Sequence, residues 1–346
     1  MQVLSDINYV VVLNWNGWRD TLACIDTVLA SKGAPLRVVV CDNGSGDGSL
    51  EKLVEWAEGR CSCDVPQHPR LARLLSGRQG VPYQLLTRES VMEGSAPAAE
   101  APLIFIDNAA NLGFAGGNNV GIRYAMQQAD MARVWLLNND TLVEPDALAN
   151  MVARLETEAA PAVCGSRLMF ADDPAVVQAM GGNGYNAWTG NASRSLGRYL
   201  PESENLDAGE YEAQLDYLCG ASMLLPRAFL EQVGLMCEDY FLYYEEVDWM
   251  TRNAGRFRQV IAADALVYHK EGSSIGSASL DTRPSALSEY YMFTNKLRFT
   301  WRYYPARFPV AYLATWAQVL NRARRGYFDS AARIARILLG LGRCPN

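Results

Sequence analysis

Residues 133–141 read RVWLLNNDT. Four side chains suited to a buried strand, Val134, Trp135, Leu136 and Leu137, give way to two amides and a carboxylate, Asn138, Asn139 and Asp140. Asn and Asp form turns readily, so an ordinary turn is one reading. The other is a polar site at the mouth of a sheet, where Asp140 would hold a divalent cation against the phosphates of a nucleotide. Hard cations such as Mg²⁺ and Mn²⁺ take oxygen ligands, commonly one or two carboxylates plus substrate phosphates. The two amides add no charge to such a site, and only Asp140 is an obvious ligand.

Outward from this stretch, short apolar runs alternate with amphipathic segments through the first 150 residues. NYVVVLN (8–14) predicts a strand, and Trp18, Leu22, Ile25 and Leu29 follow at helical spacing. RVVVC (37–41) predicts a second strand ending in DNGSGDGS, with a helix from about Leu50. PLIFIDN (102–108) predicts a third, followed by ANLGFAGGNN and a helix through Tyr124; RVWLL is the fourth, and Pro145 suits the first position of the next helix. This is the pattern of a layered α/β sheet with crossover helices. Each strand hands its polar loop to the carboxyl edge, where ligands bind in open α/β sheets. Residues 59–102, with the small-residue run EGSAPAAEAP, break the rhythm and predict a partly mobile surface insertion. Further on, GGNGYNAWTGNASRS (181–195) predicts a hairpin or acceptor-side loop, and CGASMLLPRAFLEQVG (219–234) a strand running into a helix opened by Pro226. Beyond residue 285 the chain reads as helical.

Composition limits the alternatives. The 346 residues are 49% hydrophobic and 20% charged, as in a globular protein. The net charge of −7 argues against nonspecific nucleic-acid binding. Eight scattered cysteines with no C-x-x-C pair suggest a reducing compartment, and two histidines exclude a multi-histidine metal site. The apolar run YVVVL is too short for a signal-peptide core, and no run of about 18 apolar residues predicts a membrane span.

Three further segments carry chemistry. In VVVCDNGSGDGS, Asp42 stands where a buried strand ends, and its carboxylate could accept an imide N–H such as that of uracil or thymine; an N-cap aspartate is the bland alternative. In NLGFAGGNN (111–119), paired glycines open a helix whose unpaired N–H groups would suit a ribose or phosphate. In EDYFLYYEEVDWMTRN (238–253), aromatic residues precede Glu245, Glu246 and Asp248. Aromatic walls desolvate a carboxylate and make it a better base near neutrality, although acids also simply favour a first helical turn. The sequence does not choose among the three. In ALVYHKEGSS, His269 ends an apolar strand before a Gly-Ser loop; a lone histidine is more often structural, but its place after a strand parallels that of Asp140. Imidazole suits Mn²⁺ better than Mg²⁺.

Together, VVLNWNG, VCDNGSGDGS, NLGFAGGNNVGI, WLLNNDT, CGASMLLPR, FLYYEEVDW and VYHKEGSS resemble, in order and spacing, the family 2 glycosyltransferases of GT-A fold, within their rhamnosyl- and galactofuranosyltransferase-like branch. The likeness runs from about Tyr9 to about Arg298. It implies a Rossmann-like, mostly parallel central sheet flanked by helices, with a helical C-terminal extension. The catalytic domain would be 1–285, with a nucleotide-binding half at 1–150 and an acceptor-binding half at 151–285, followed by a helical basic region at 286–346. By the same resemblance Asn14 and Asp42 would hold the base, and Asn111, Gly116, Gly117 and Asn118 the ribose and diphosphate. Asn138 and Asn139 stand with Asp140 where the family's D-x-D motif lies, and only the last acid is kept. Asp140 would bind Mg²⁺ or Mn²⁺ with His269 as second ligand. Glu246 matches the usual catalytic base, with Asp248 or Glu245 as substitutes. EYYMFTNKLRF (289–299) matches a Tyr-rich Arg-Asn segment of the family, with Thr294 in place of Arg.

The implied activity is inverting transfer of a sugar, best matched by L-rhamnose from dTDP-rhamnose, to a hydroxyl of a saccharide or lipid-linked saccharide in cell-surface polysaccharide synthesis. A galactofuranosyl or other UDP-sugar transferase is the alternative, as is a non-catalytic nucleotide-sugar-binding partner subunit. A glycosidase with a carboxylate pair leaves the base- and phosphate-facing loops unexplained. From Lys296 onward ten basic residues face one acidic residue, Asp329. Trp301, Tyr303, Tyr304, Phe308, Tyr312 and Trp316 are interspersed with Arg302 and Arg307, followed by Arg322, Arg324, Arg325, Arg333 and Arg336. Such a tail would lie on a membrane surface, pack on the acidic domain, or join another subunit in a homo-oligomer. The expected location is cytoplasmic, peripheral at the inner face of the plasma membrane.

Overall fold

The computed structural model describes residues 6–78, 80–204, 206–270 and 285–345. The chain begins β1 (Ile7–Asn14), α1 (Trp18–Leu29), β2 (Leu36–Asp42), α2 (Ser49–Ala57), α3 (Pro69–Ala72), β3 (Tyr83–Thr87), α4 (Arg88–Met92) and β4 (Leu103–Asp107). It continues with α5 (Gly113–Gln127), β5 (Met131–Asn138), β6 (Thr141–Val143), α6 (Ala147–Glu156), β7 (Ala162–Phe170) and β8 (Val177–Met180). Then come β9 (Gly182–Asn186), β10 (Asn191–Ser195), α7 (Ala208–Glu212), β11 (Tyr217–Leu218), β12 (Ser222–Pro226) and α8 (Arg227–Val233). The last elements are α9 (Glu245–Asn253), β13 (Arg258–His269), α10 (Ala286–Tyr303), α11 (Phe308–Arg324) and α12 (Phe328–Leu338).

The main sheet has the order β3-β4-β2-β1-β5-β12-β7-β13-β6, with β8 paired to β7, and β9, β10 and β11 form a small second sheet. Pairings among β1–β5 are parallel, as is β7 with β13; β12, β6 and β8 run antiparallel to their neighbours. The mostly parallel sheet with flanking helices is the architecture expected from the sequence. A sheet covered on both faces has near-continuous apolar strands. In β1 and β2, Val11 and Val39 go to one core, while Val10, Val12, Val38 and Val40 go to the other.

Register sets the functional edge. Asn14 lies beside Asp42, Leu13 beside Asn138, and His269 beside Thr141. Side chains from four strand ends therefore meet at one level. The C-terminal helices follow as expected, and no described helix is long and apolar enough to cross a membrane.

Three expectations are corrected. The segment 59–102 is not only a surface insertion, because Tyr83–Thr87 pairs in parallel with Leu103–Asp107 as the edge of the main sheet. Its short alternation, YQLLT, is weak as a strand signal because an edge buries little. Pro145 does not open α6, which starts at Ala147 after Asp146. The paired glycines of α5 serve close packing: a Cβ at Gly117 would stand 2.4 Å from Leu13 Cδ1 and 2.9 Å from Asn43 Oδ1, and one at Gly121 2.6 Å from Val11 Cγ1. Gly117→Ala should cost about 1–3 kcal/mol by overpacking, read as a lower urea midpoint at unchanged m; unchanged stability would contradict this packing role.

Candidate active site

The end of β2 is closed by its own loop. The Asp42 carboxylate accepts from Asn14 Nδ2 at 2.7 Å, Ser45 Oγ at 2.7 Å and Ser45 N at 2.9 Å. An ionised carboxylate offers about four acceptor positions, so about one remains for a ligand. Asn14 is fully buried and used up within the fold: its amide donates to Asp42 and Ser45 Oγ, and its carbonyl accepts from Thr21 Oγ1 at 2.7 Å. Thr21 Oγ1 in turn accepts from Asn139 Nδ2 at 3.0 Å. Asn14 and Asn139 tie the base-facing loop to the end of β5.

The N-terminus of α5 is also occupied, against expectation. Leu112 N donates to Asn43 Oδ1, Gly113 N to Asn111 Oδ1 at 3.0 Å, and Phe114 N to the Phe241 carbonyl at 2.7 Å. Gly113 has φ +73°, and a Cβ there would meet that carbonyl at 2.3 Å, so glycine is required. Asn111 caps this turn and also accepts from Asn43 Nδ2; its exposed side chain keeps a free edge. Asn118 donates back to the Phe114 carbonyl. Gly116 faces Leu112, with Glu238 3.9 Å from where its Cβ would be.

Asp140 and His269 do meet. His269 Nε2 is 3.2 Å from Asp140 Oδ1 and 3.3 Å from Asn138 Nδ2, and His269 Nδ1 is 2.8 Å from Gln178 Oε1. An amide oxygen only accepts, so Gln178 places an imidazole proton on Nδ1, and in the neutral ring Nε2 is then the acceptor. Asp140 Oδ1 and His269 Nε2 can therefore share a proton as an ion pair or, with the ring neutral, both turn acceptor atoms toward a bound cation. One carboxylate and one imidazole fit a divalent cation of the Mn²⁺ type. Among the described residues no cluster of three acidic, Cys or His side chains exists. Further positions would fall to diphosphate oxygens and water. The Gly-Ser run after His269 lies outside the described residues. An open groove of about 700 Å³ is lined by Arg19, Asp20, His68, Leu142, Ala171 and Lys270 among others, Lys270 being the residue after His269.

The three acids of α9 have distinct surroundings. Asp248 is buried and bound by Arg252 Nε at 2.6 Å and Tyr303 OH at 2.6 Å. It clamps α9 to α10, so it is not placed to serve as a base. Glu245 is buried, and desolvation with the nearby Glu246 charge holds its carboxyl well above the ordinary range. Glu246 is half-buried, and its carboxyl is also raised by desolvation, against the backbone N–H groups of Glu246 and Gly220. A Cβ at Gly220 would stand 2.4 Å from Glu246 Oε1. Next in the chain, the Ala221 carbonyl accepts from Asn138 N at 3.0 Å. Glu246 thus rests against the residue before the one that pairs with Asn138 at the end of β5.

The turn that aims these acids is strained. Tyr243 and Tyr244 have φ of 66° and 77°, each costing about 1–3 kcal/mol in a non-glycine residue. Asn295 Nδ2 holds the carbonyls of Leu242 and Tyr243 at 2.8 and 3.2 Å, Tyr243 OH meets Ser288 Oγ at 2.8 Å, and Tyr244 OH donates to the Gly190 carbonyl at 2.6 Å. Sequence reasoning missed Gln178 and Asn295 as supports. Each is an amide inside a mainly apolar run, VVQAM and YYMFTNKLRF, which is the signal that could have found them.

Comparisons with known proteins bear on family and fold. The Glycosyl transferase family 2 model matches residues 90–204. The low-salt glycan biosynthesis hexosyltransferase Agl10 of Haloferax volcanii is 27% identical over 149 residues, 43% of this chain and 45% of that protein, so the chain spans less than half of this relative's length. Among solved structures, GalNAc-T7 with UDP, GalNAc and Mn²⁺ is similar at TM-score 0.50 and 13% identity, covering 86% of this chain and 51% of that one. The mannosyltransferase PcManGT of Pyrobaculum calidifontis, in complex with GDP-Man and Mn²⁺, is similar at TM-score 0.47 and 15% identity, covering 96% and 86%. S. aureus TarS 1–349 is similar at TM-score 0.48 and 13% identity, covering 96% and 91%. The likeness to GalNAc-T7 is one of fold, and it accords with the GT-A architecture.

Because the folded-state carboxyl of Glu245 titrates above its ordinary value of 4.5, the folded chain binds the extra proton. Its contribution is favourable at and below that value and is lost as pH rises through the folded-state value. Glu245→Gln should therefore be more stable than wild type in neutral and alkaline solution, the gain vanishing in acid. Denaturant midpoints across pH test this, and a gain that persists in acid would contradict it.

Proposed function

We propose that the chain is an inverting glycosyltransferase, moving a sugar from a nucleoside-diphosphate donor to a hydroxyl of a saccharide or lipid-linked saccharide. The observation that carries this reading is the meeting of Asp140 and His269 at the carboxyl edge of the sheet, with Glu246 packed against Gly220, next to the Ala221 that pairs with Asn138. Asp140 and His269 would hold a divalent cation, which supplies charge neutralisation for the departing diphosphate. Asp42, at the end of β2, keeps one acceptor position for the imide of a pyrimidine base. Glu246 takes the proton of the acceptor hydroxyl as that oxygen forms its bond to the anomeric carbon and the diphosphate leaves. One displacement inverts the configuration. Gly220 leaves room for the Glu246 carboxyl, and the Tyr243–Tyr244 turn, held by Asn295, aims it.

The preferred donor is dTDP-L-rhamnose, which the likeness of NLGFAGGNN, WLLNNDT and FLYYEEVDW to rhamnosyltransferase motifs supports. A panel of dTDP- and UDP-sugars, titrated with and without Mn²⁺, tests it. Tightest binding of dTDP-rhamnose with Mn²⁺ present is expected, and preference for a UDP-hexose would replace the donor while leaving the class. Absence of nucleotide-sugar binding would overturn the class.

Glu246→Gln should lower kcat by about 10² to 10⁴ with donor affinity nearly unchanged. The wild-type rate should rise with pH along a limb displaced above the ordinary carboxylate range, because burial raises that carboxyl. Wild-type turnover in Glu246→Gln would remove it from this role. Gly220→Ala, which crowds the same carboxyl, should depress kcat more than donor KM; equal effects on both would argue against the placement.

A further inference from the structure

Helix α11 is apolar on two sides. Ala311, Thr315 and Val319 are buried, while Val310, Leu313, Ala317 and Leu320 form an exposed stripe over about three turns, with Leu313 at 67% and Leu320 at 64% exposure. At its N-terminal end Trp301, 64% exposed, meets the edge of Phe308 with ring centroids 5.2 Å apart. An outermost helix with an apolar outer face marks an interaction surface.

Charge identifies the occupant. Part of the basic tail is used internally: Glu289 pairs with Arg322 and Arg333, and Asp239 with Arg302. Arg324, Arg325, Arg336 and Arg343 form no ion pair among the described residues, and Arg324 ends the apolar stripe. Residues 296–346 carry +9 in a chain whose net charge is −7. A second copy docked by this same face would oppose two cationic surfaces, whereas an anionic lipid surface complements both the charge and the apolar stripe.

We propose that the outer face of α11, with Trp301 and the adjoining arginines, docks on an anionic lipid membrane surface. The Trp and Arg side chains sit at headgroup level and the leucines enter the acyl boundary. The face adjoins the candidate site by a short path. The Arg307 guanidinium lies 4.9 Å from the ring centroid of Trp188, which is 57% exposed in the β9–β10 turn, and the Gly190 carbonyl of that turn accepts from Tyr244 OH, two residues before Glu246. This last link, delivery of a lipid-linked acceptor toward Glu246, rests on the proposed glycosyltransferase activity; the docking does not.

Flotation of the full chain with vesicles of phosphatidylcholine plus phosphatidylglycerol, against phosphatidylcholine alone, tests it. The chain should float with the anionic vesicles, less so at high salt. Leu313→Glu with Leu320→Glu, or Arg324→Glu with Arg325→Glu, should lower the partition about tenfold or more at an unchanged melting temperature. Failure to float with anionic vesicles would overturn the proposal, as would wild-type flotation of the leucine double variant. A wild-type dimer in light scattering that this double variant converts to monomer, without vesicle binding, would assign the face to a second copy instead. Transfer to a water-soluble acceptor, measured on the same samples, reads the activity separately, so its absence would bear on the catalytic reading alone.

Discussion

The candidate site depends on the close approach of one carboxylate and one imidazole. Asp140 Oδ1 and His269 Nε2 lie 3.2 Å apart, brought there by pairing of His269 with Thr141 and by Gln178 on the far nitrogen of the ring. A carboxylate and an imidazole this close suit either a shared proton or a bound cation, and in a buried setting the attraction to either is poorly screened. The antiparallel pairing of β13 with β6 fixes the His269 backbone against the residue after Asp140, and Gln178 orients the ring.

A second constraint lies on the other side of Asn138. The strand end is joined to Ala221, and Gly220 beside it leaves space for the Glu246 carboxyl. Two successive tyrosines in left-handed conformation open α9, and supports from α5, α10 and the small sheet over-determine that turn. Strained backbone held from several directions is a recurrent feature of functional sites. Here it separates three neighbouring acids into a structural clamp at Asp248, a desolvated carboxyl at Glu245 and a half-exposed one at Glu246.

Much of this was legible in the sequence because strand ends announce themselves. An apolar run broken by Asn, Asp or His located Asp42, Asp140 and His269, and the parallel sheet then brought them to one edge. The roles of amides and glycines were less legible. Asn14, Asn139 and Gly117 sit in the right loops but face the protein, since hydrogen-bond partners such as Thr21 and packing partners such as Leu13 come from segments that only the fold brings near. The edge strand at Tyr83–Thr87 escaped notice for a related reason: an edge has little apolar pattern to show. Periodicity reports burial, and it is silent on which polar groups have already found partners.

The most direct test of the account is pulsed EPR on Mn²⁺-loaded protein with nucleoside diphosphate bound. The chain has two histidines, and His68 caps the short helix α3. The account predicts nitrogen hyperfine coupling from one imidazole in the wild type, retained in His68→Ala and lost in His269→Ala. Coupling that survives removal of His269, or its absence from the loaded wild type, would contradict a cation shared by Asp140 and His269.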